Sequence, residues 1–361
     1  MKRFLKPINL LWLLVIPLVI IAARVFPWGE IIQILRSLTV LELAALVVVN
    51  GIILLLFCAR WWLILRAYGY LIPYIRLSGY RMAGFAISYF TPGTQFGGEP
   101  LQAYLVQSQH SVPAGTSLAA VTVDRLLELF VNFSFLGLGV LLIVGYGLIP
   151  GLARPDLANW IGAILLLPLL YFGALWADRY PLSELFIRLP AAWWSRPKLA
   201  KLPQLVTATE RQMAFLFRKH PLLILWALLI STLVWALMVF EYWLMATFLG
   251  ARLSTMQAVA GYTATRIAFL APVPGGVGLL EAGQALAMQA FGYSSALGIS
   301  LSLLIRARDF LTGSIGLWIG GLAGVRPGSH SGEQTPVVGL LVPVSSADLE
   351  PRRAGEVSRM P

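Results

Sequence analysis

Nine ionisable side chains stand inside apolar stretches of this chain: Glu99, Asp124, Arg125, Glu128, Arg266, Glu281, Arg306, Arg308 and Asp309. Each costs about 2.5–3.5 kcal/mol at the centre of a membrane helix, so such groups face a bundle interior or a wet cavity and pair with one another. Asp124 and Glu128 are four apart and share a helical face, and Arg125 lies three before Glu128. Arg306 and Asp309 are likewise three apart. Two roles suit these groups: an internal network that neutralises itself, or a polar site that offers arginines to a ligand. Arg presents a planar fork that fits phosphate bidentately. Arg125, Arg266, Arg306 and Arg308 are more cations than a purely apolar substrate would need.

Two of the carboxylates belong to a motif that occurs twice. "PGTQFGGEPLQA" (92–103) and "PGGVGLLEAGQA" (274–285) both read Pro-Gly, five residues, Glu, two residues, Gln-Ala, 182 residues apart. Each glutamate follows a Pro-Gly loop and opens an apolar stretch, which places it in the first turn of a short helix. There it either complements the helix dipole, worth about 0.3–1 kcal/mol, or pairs with a membrane arginine. Gly93, Gly97, Gly98, Gly275 and Gly276 permit a tight turn and close packing at a hairpin tip. They also leave helix N-terminal amides open to an anion. No Gly-Lys-Ser/Thr follows, so neither loop is a nucleotide loop. The histidines His110, His220 and His330 are scattered and Cys58 is the one cysteine, so no metal, cofactor or catalytic group is expected.

The elements that must position these residues are membrane helices. The chain is 58% hydrophobic and 12% charged, with a mean hydropathy of +0.78, against about 25% charged residues in soluble domains. The net charge of +11 reads as cytoplasmic loop charge, not as a nucleic-acid surface. Six stretches are long and apolar enough to span, near 9–27, 40–63, 117–145, 158–176, 221–249 and 297–321. The first resembles a signal peptide but lacks a small-residue cleavage site, and reads as a retained helix. Two further apolar stretches, 80–108 and 257–291, are interrupted by Pro, Gly and the motif glutamates. Broken backbone at membrane depth is tolerated only where it is buried in protein or lines a cavity.

Charge sets the expected orientation. Lys2, Arg3 and Lys6 precede the first span, Arg60, Arg66, Arg76 and Arg81 follow the second, and segment 177–220 carries eight Lys and Arg. All three groups fall on the cytoplasmic side if the broken stretches are re-entrant hairpins rather than single crossings. The expected architecture is an all-α polytopic membrane protein, with six full transmembrane helices plus two re-entrant helical hairpins arranged as an inverted repeat. N- and C-termini are cytoplasmic. Residues 1–325 form the membrane domain, and 326–361, rich in Pro, Gly and Ser, a disordered cytoplasmic tail. Trp61, Trp62, Trp193, Trp194, Trp235, Tyr242 and Trp243 suit an interfacial belt.

"FTPGTQFGGEPLQAYLV" (90–106), "VDRLLEL" (123–129) and "APVPGGVGLLEAG" (271–283) resemble the lysylphosphatidylglycerol synthase transmembrane family, also called the flippase-like family. The resemblance covers nearly the whole membrane region. The first motif of that family more often continues with a Gly-Glu and a basic residue before the Tyr-Leu; here Pro100 and Gln102 intervene. Members with synthase activity carry a soluble aminoacyl-transferase domain, and none is expected within these 361 residues. The resemblance therefore implies a bacterial inner-membrane lipid transporter, with a membrane lipid bearing an anionic or phosphate headgroup as its partner. The alternative is a membrane-embedded enzyme or accessory subunit acting on lipid-linked glycans or lipids, with Asp124, Glu128 and Asp309 as its only candidate acid–base groups.

Overall fold

Several helices in this chain begin at a capping side chain or a proline, and those that end at Ala67, Phe248 and Ala290 each give way to a left-handed glycine within two residues of their last turn. The computed structural model describes residues 28–90, 97–145, 156–188, 202–270 and 276–325, all within one unit that ends at Ser329. A short amphipathic helix, α1 (Trp28–Arg36), precedes α2 (Val40–Ala67). Thr39 opens α2 with a capping box: its Oγ1 accepts from the Glu42 amide at 3.3 Å, and Glu42 Oε2 accepts from the Thr39 amide at 2.7 Å. The first hairpin is α3 (Tyr74–Phe90) and α4 (Glu99–His110), followed by α5 (Ala114–Gly145). Then come α6 (Asp156–Trp176), α7 (Pro181–Arg188) and the amphipathic α8 (Leu202–Lys219). The second half holds α9 (Pro221–Phe248), α10 (Thr255–Leu270), α11 (Leu279–Ala290) and α12 (Ser295–Val325). The described residues contain no strand.

Three of these helices are long and apolar enough to cross a membrane: α2, α5 and α9. They match three of the six expected spans. The expected span at 158–176 is helical as α6, with its apolar run at Leu165–Trp176. That at 297–321 lies in α12, which has the length at 31 residues but carries Arg306, Arg308 and Asp309 across its centre. The stretch 9–27 and the tail 326–361 lie outside the described residues.

The repeat extends well past the twelve-residue motif. Helices α2 to α5 have 28, 17, 12 and 32 residues, and α9 to α12 have 28, 16, 12 and 31. An amphipathic helix precedes each set, α1 in one case and α8 in the other. The halves interlock: α2 packs on α9, α3 on α12 and α10 on α5, while α1 packs on α12 and α8 on α5. Equivalent helices α2 and α9 run antiparallel. Arg60, late in α2, donates to Ser231, early in α9, at 2.7 Å, and Tyr68 just past α2 donates to the Gln212 carbonyl at 2.9 Å, shortly before α9 begins. Each interrupted segment folds back on itself. The Tyr80 hydroxyl lies 3.1 Å from His110 Nε2 across the first hairpin. The Arg252 amide, just before α10, donates to the Tyr293 hydroxyl, just after α11, at 2.9 Å.

Two expectations are corrected. Arg60 and Arg81 do not mark a cytoplasmic flank: Arg60 is 1% exposed, and both guanidinium groups are engaged by carboxylates of α5. The positive-inside rule counts charges in water, and these two are held inside by countercharge. The aromatic belt is also reduced, because Trp61, Trp235 and Tyr242 are core residues. Trp62 and Trp243 are half-buried and donate to the carbonyls of Ile72 and Leu253, whereas Trp193 and Trp194 lie outside the described residues.

Candidate functional site

Helix α5 presents Asp124 and Glu128 on one face, and three arginines from three elements converge there. Arg60 of α2 reaches Asp124 at 2.6 Å and Glu128 at 3.1 Å. Arg81 of α3 reaches Asp124 and, at 3.2 Å, Glu128. Arg125 meets Glu128 at 2.8 Å, the pair expected from their spacing, and also Glu99 at the head of α4 at 3.2 Å. The Phe57 ring lies under both Arg60 and Arg81, at 5.7 and 5.2 Å, covering their apolar edges. Three carboxylates thus meet three guanidinium groups, and this half of the site is balanced.

The second half is built on α12 and is not balanced in the same way. Arg306 engages Glu281 of α11 through Nε at 2.5 Å and Nη2 at 3.1 Å. Arg308 spends all three nitrogens on two carboxylates: Nε and Nη2 donate to Asp309 at 2.9 and 2.8 Å, and Nη1 donates to Glu241 of α9 at 2.5 Å. Asp309 therefore pairs with its neighbour Arg308, and Arg306 reaches across to the motif glutamate. Gln284, the motif glutamine, ties three helices together. It accepts from the Tyr242 hydroxyl at 2.7 Å and donates to the Gly261 carbonyl at 3.0 Å and Thr265 Oγ1 at 2.8 Å.

Both motif glutamates combine the two roles that their position allowed. Glu99 accepts from the Gly97 amide at 2.8 Å, Glu281 accepts from the Gly278 amide at 2.8 Å, and each also pairs with an arginine. The Gly98 amide donates to Ser88 Oγ at 2.9 Å. The tip amides of Gly97, Gly98 and Gly278 are thus taken by the chain itself rather than left open to an anion, because a nearby side chain satisfies them without any ligand. Glycine is required at Gly98 for a different reason: a Cβ there would sit 2.0 Å from the Gly84 carbonyl oxygen. Gly276 adopts φ 63°, a left-handed conformation that suits glycine. Gly93 and Gly275 lie outside the described residues.

Both networks open on one cavity of about 170 Å³, far more than the space of about 10–15 Å³ that one water needs. Glu99, Asp124, Arg125 and Glu128 line it from the first half, and Arg266, Arg308 and Asp309 from the second, while Glu281 and Arg306 lie outside its wall. Arg266 differs from the other arginines of the site. Among the described residues it has no carboxylate in ion-pair range, its Nε is buried with no hydrogen-bond partner, and its guanidinium lies 4.9 Å from the Trp235 ring.

Over residues 9–316 the chain matches the family described as lysylphosphatidylglycerol synthase TM region. The chain belongs to this family. It is 28% identical over 279 residues to a protein described as a UPF0104 membrane protein from the archaeon Methanothermobacter thermautotrophicus, a match covering 74% of this chain and 82% of that one. A second UPF0104 membrane protein of the same organism is 32% identical over 111 residues, 31% of each chain. No solved structure matches. Membership makes this a helical membrane protein of that family, and its two copies of the Pro-Gly…Glu motif head α4 and α11.

Three charged groups of the site were not among the sequence candidates. Arg60 and Arg81 stand near span ends, where charge alone reads as cytoplasmic flank. Glu241 is the lone acid of a 28-residue apolar helix. A signal for it existed: Glu241 follows Arg60 by 181 residues, nearly the spacing of the motif, so the two occupy equivalent places in the two halves.

Proposed function

We propose that this protein moves a membrane lipid with an anionic, phosphate-bearing headgroup between leaflets, without chemically changing it. The observation that carries the reading is the cavity between the two halves, lined by charge and holding one arginine, Arg266, with no carboxylate in ion-pair range among the described residues. The headgroup enters the cavity and meets Arg266, whose fork matches a phosphate, while the acyl chains stay in lipid. The exposed apolar side chains of the long helices, such as Val47, Leu222 and Trp226, suit such a lipid boundary.

In this reading α3–α4 and α10–α11 are re-entrant hairpins entering from opposite faces of the bilayer, and the antiparallel α2 and α9 are the cores of an inverted-topology repeat, a plan common among transporters. Arg66 and Arg76 flank the turn between α2 and α3, which Tyr68 ties to the basic α8 through the Gln212 carbonyl, and that side is the cytoplasmic one by the positive-inside rule. The membrane is the plasma membrane.

The test is exchange of tail-labelled lipids in proteoliposomes, run with phosphatidylglycerol, phosphatidylethanolamine and phosphatidylcholine. Leaflet exchange of unmodified lipid that drops at least about tenfold in Arg266→Ala, with Arg266→Lys intermediate, supports the reading; one lost ligand contact of about 1.4 kcal/mol accounts for that factor. Recovery of a modified lipid replaces it with the enzymatic alternative. Exchange that ignores Arg266 removes the headgroup site.

A further inference from the structure

The two halves each hold three carboxylates and three arginines, but they pair them differently. On the α5 side, Glu99, Asp124 and Glu128 face Arg60, Arg81 and Arg125. On the α12 side, Glu281 pairs with Arg306, and Glu241 and Asp309 share Arg308, while Arg266 of α10 has no carboxylate in ion-pair range among the described residues. Asp309 takes two of its nitrogens and Glu241 the third, through Oε2 alone. The other oxygen, Glu241 Oε1, is buried with no hydrogen-bond partner. The residue is 1% exposed, and it lines the same cavity as Arg266. An ionised carboxylate oxygen buried without a donor is costly. A proton on Oε1 removes that cost and turns the oxygen into a donor on a residue that lines the cavity.

The groups around Glu241 leave that place open. From α2, Asn50 is placed to hydrogen-bond the carboxylate through its side chain, but no donor lies within hydrogen-bond distance of Oε1. Helix α12 contributes Arg308, which donates to both Glu241 and Asp309, and Asp309, whose carboxylate is held by Arg308. Helix α10 contributes Tyr262, whose hydroxyl donates to Met238 Sδ at 3.1 Å, and Arg266 over Trp235. Across the cavity, Asp124, Arg125 and Glu128 of α5 and Arg81 of α3 are held in the balanced network. Helix α8 meets the start of α9, and its Arg218 and Lys219 lie at the opposite end of α9 from Glu241, about six helical turns away along the sequence.

We infer that Glu241 takes up a proton together with the headgroup, so that lipid transport is proton-coupled. This rests on the transport reading above. With Glu241 neutral, Arg266 and the Oε1 hydroxyl offer a cation and a donor to one anionic group. With Glu241 ionised, its charge opposes that group. The proton enters from water on one side, resides on Oε1 while the headgroup is bound, and leaves to water on the other side; no other bond is made or broken.

Two measurements test this. The first needs no transport: infrared titration of purified protein follows the carbonyl band of protonated carboxyl groups. A titrating band present in the wild type and missing in Glu241→Gln is the expected result. Should that variant fail to fold, Asp309→Asn serves, because it leaves Arg308 to Glu241 and moves the band's loss to lower pH. A band unaltered in either variant overturns the inference. The second is exchange of tail-labelled phosphatidylglycerol in phosphatidylcholine vesicles over a pH series. Wild-type exchange should fall by up to about tenfold per pH unit above the titration of one essential proton, and the Glu241→Gln profile should be flat whatever its rate. Identical pH profiles overturn the coupling and leave the transport reading intact. A wild-type protein that shows the band but exchanges none of the lipids overturns both.

Discussion

Replacing Glu281 with Gln should cost far more than the same change at Glu99, although the two head equivalent helices of the repeat. The geometry sets the difference. Glu281 accepts two guanidinium contacts from Arg306, at 2.5 and 3.1 Å, and the two side chains are 9% and 18% exposed. Glu99 accepts one contact from Arg125, at 3.2 Å, and both are about a quarter exposed, at 25% and 24%. Arg125 also retains Glu128 at 2.8 Å when Glu99 is neutralised. Gln keeps the shape and the cap to the Gly278 or Gly97 amide, so the loss at either site is mainly that of the charge. Breaking a buried pair from one side costs about 3–5 kcal/mol, and the residual exposure of Arg306 places Glu281→Gln near the lower end, at about 3 kcal/mol. A partly solvated pair is worth about 0–1 kcal/mol, which is the loss expected for Glu99→Gln. Unfolding in mild detergent, monitored with a thiol-reactive probe at the buried Cys58, measures both. The double variant Glu281→Gln/Arg306→Gln should recover part of the loss, because it leaves no unpaired charge. Equal losses below about 1 kcal/mol at both sites would return Glu281 to a simple helix cap and refute the pairing argument.

Glu210 is 1% exposed in α8, and its carboxylate accepts from the Tyr171 hydroxyl at 3.0 Å, the Leu182 and Ser183 amides at 3.0 and 2.7 Å, and Ser183 Oγ at 2.5 Å. Glu210→Ala strands the buried Ser183 amide and hydroxyl at about 1–3 kcal/mol each, so it should lower the thermal midpoint and speed proteolysis between α7 and α8; an unchanged midpoint would mean that α7 docks without it. The hairpin geometry is checked by single cysteines at positions 79 and 112 in a Cys58→Ala background, which should label from the same side of the membrane in oriented vesicles. Labelling from opposite sides would turn α3–α4 into a crossing.

Hydropathy and punctuation made much of this fold legible before any coordinates. The apolar runs at 40–63 and 221–249 became Val40–Ala67 and Pro221–Phe248, because an unbroken run of apolar residues with a cap or proline at its head has one local solution. The interrupted stretches became helix pairs for an equally local reason, since Pro and Gly between two helical patterns cannot continue either helix. The repeated glutamate motif announced two equivalent halves, and the Arg125–Glu128 pair followed from helical spacing. What only the tertiary structure decided was which charges meet. Arg60 and Asp124 are 64 residues apart, Arg308 and Glu241 67, and no periodicity within one helix selects a partner on another. The same arginine near a helix end reads as a cytoplasmic marker or as a buried counterion, according to whether water or a carboxylate lies beside it. For Arg60 that was settled by the way α2 crosses α5 and α9, and for Glu241 by the single nitrogen that Arg308 has left to give.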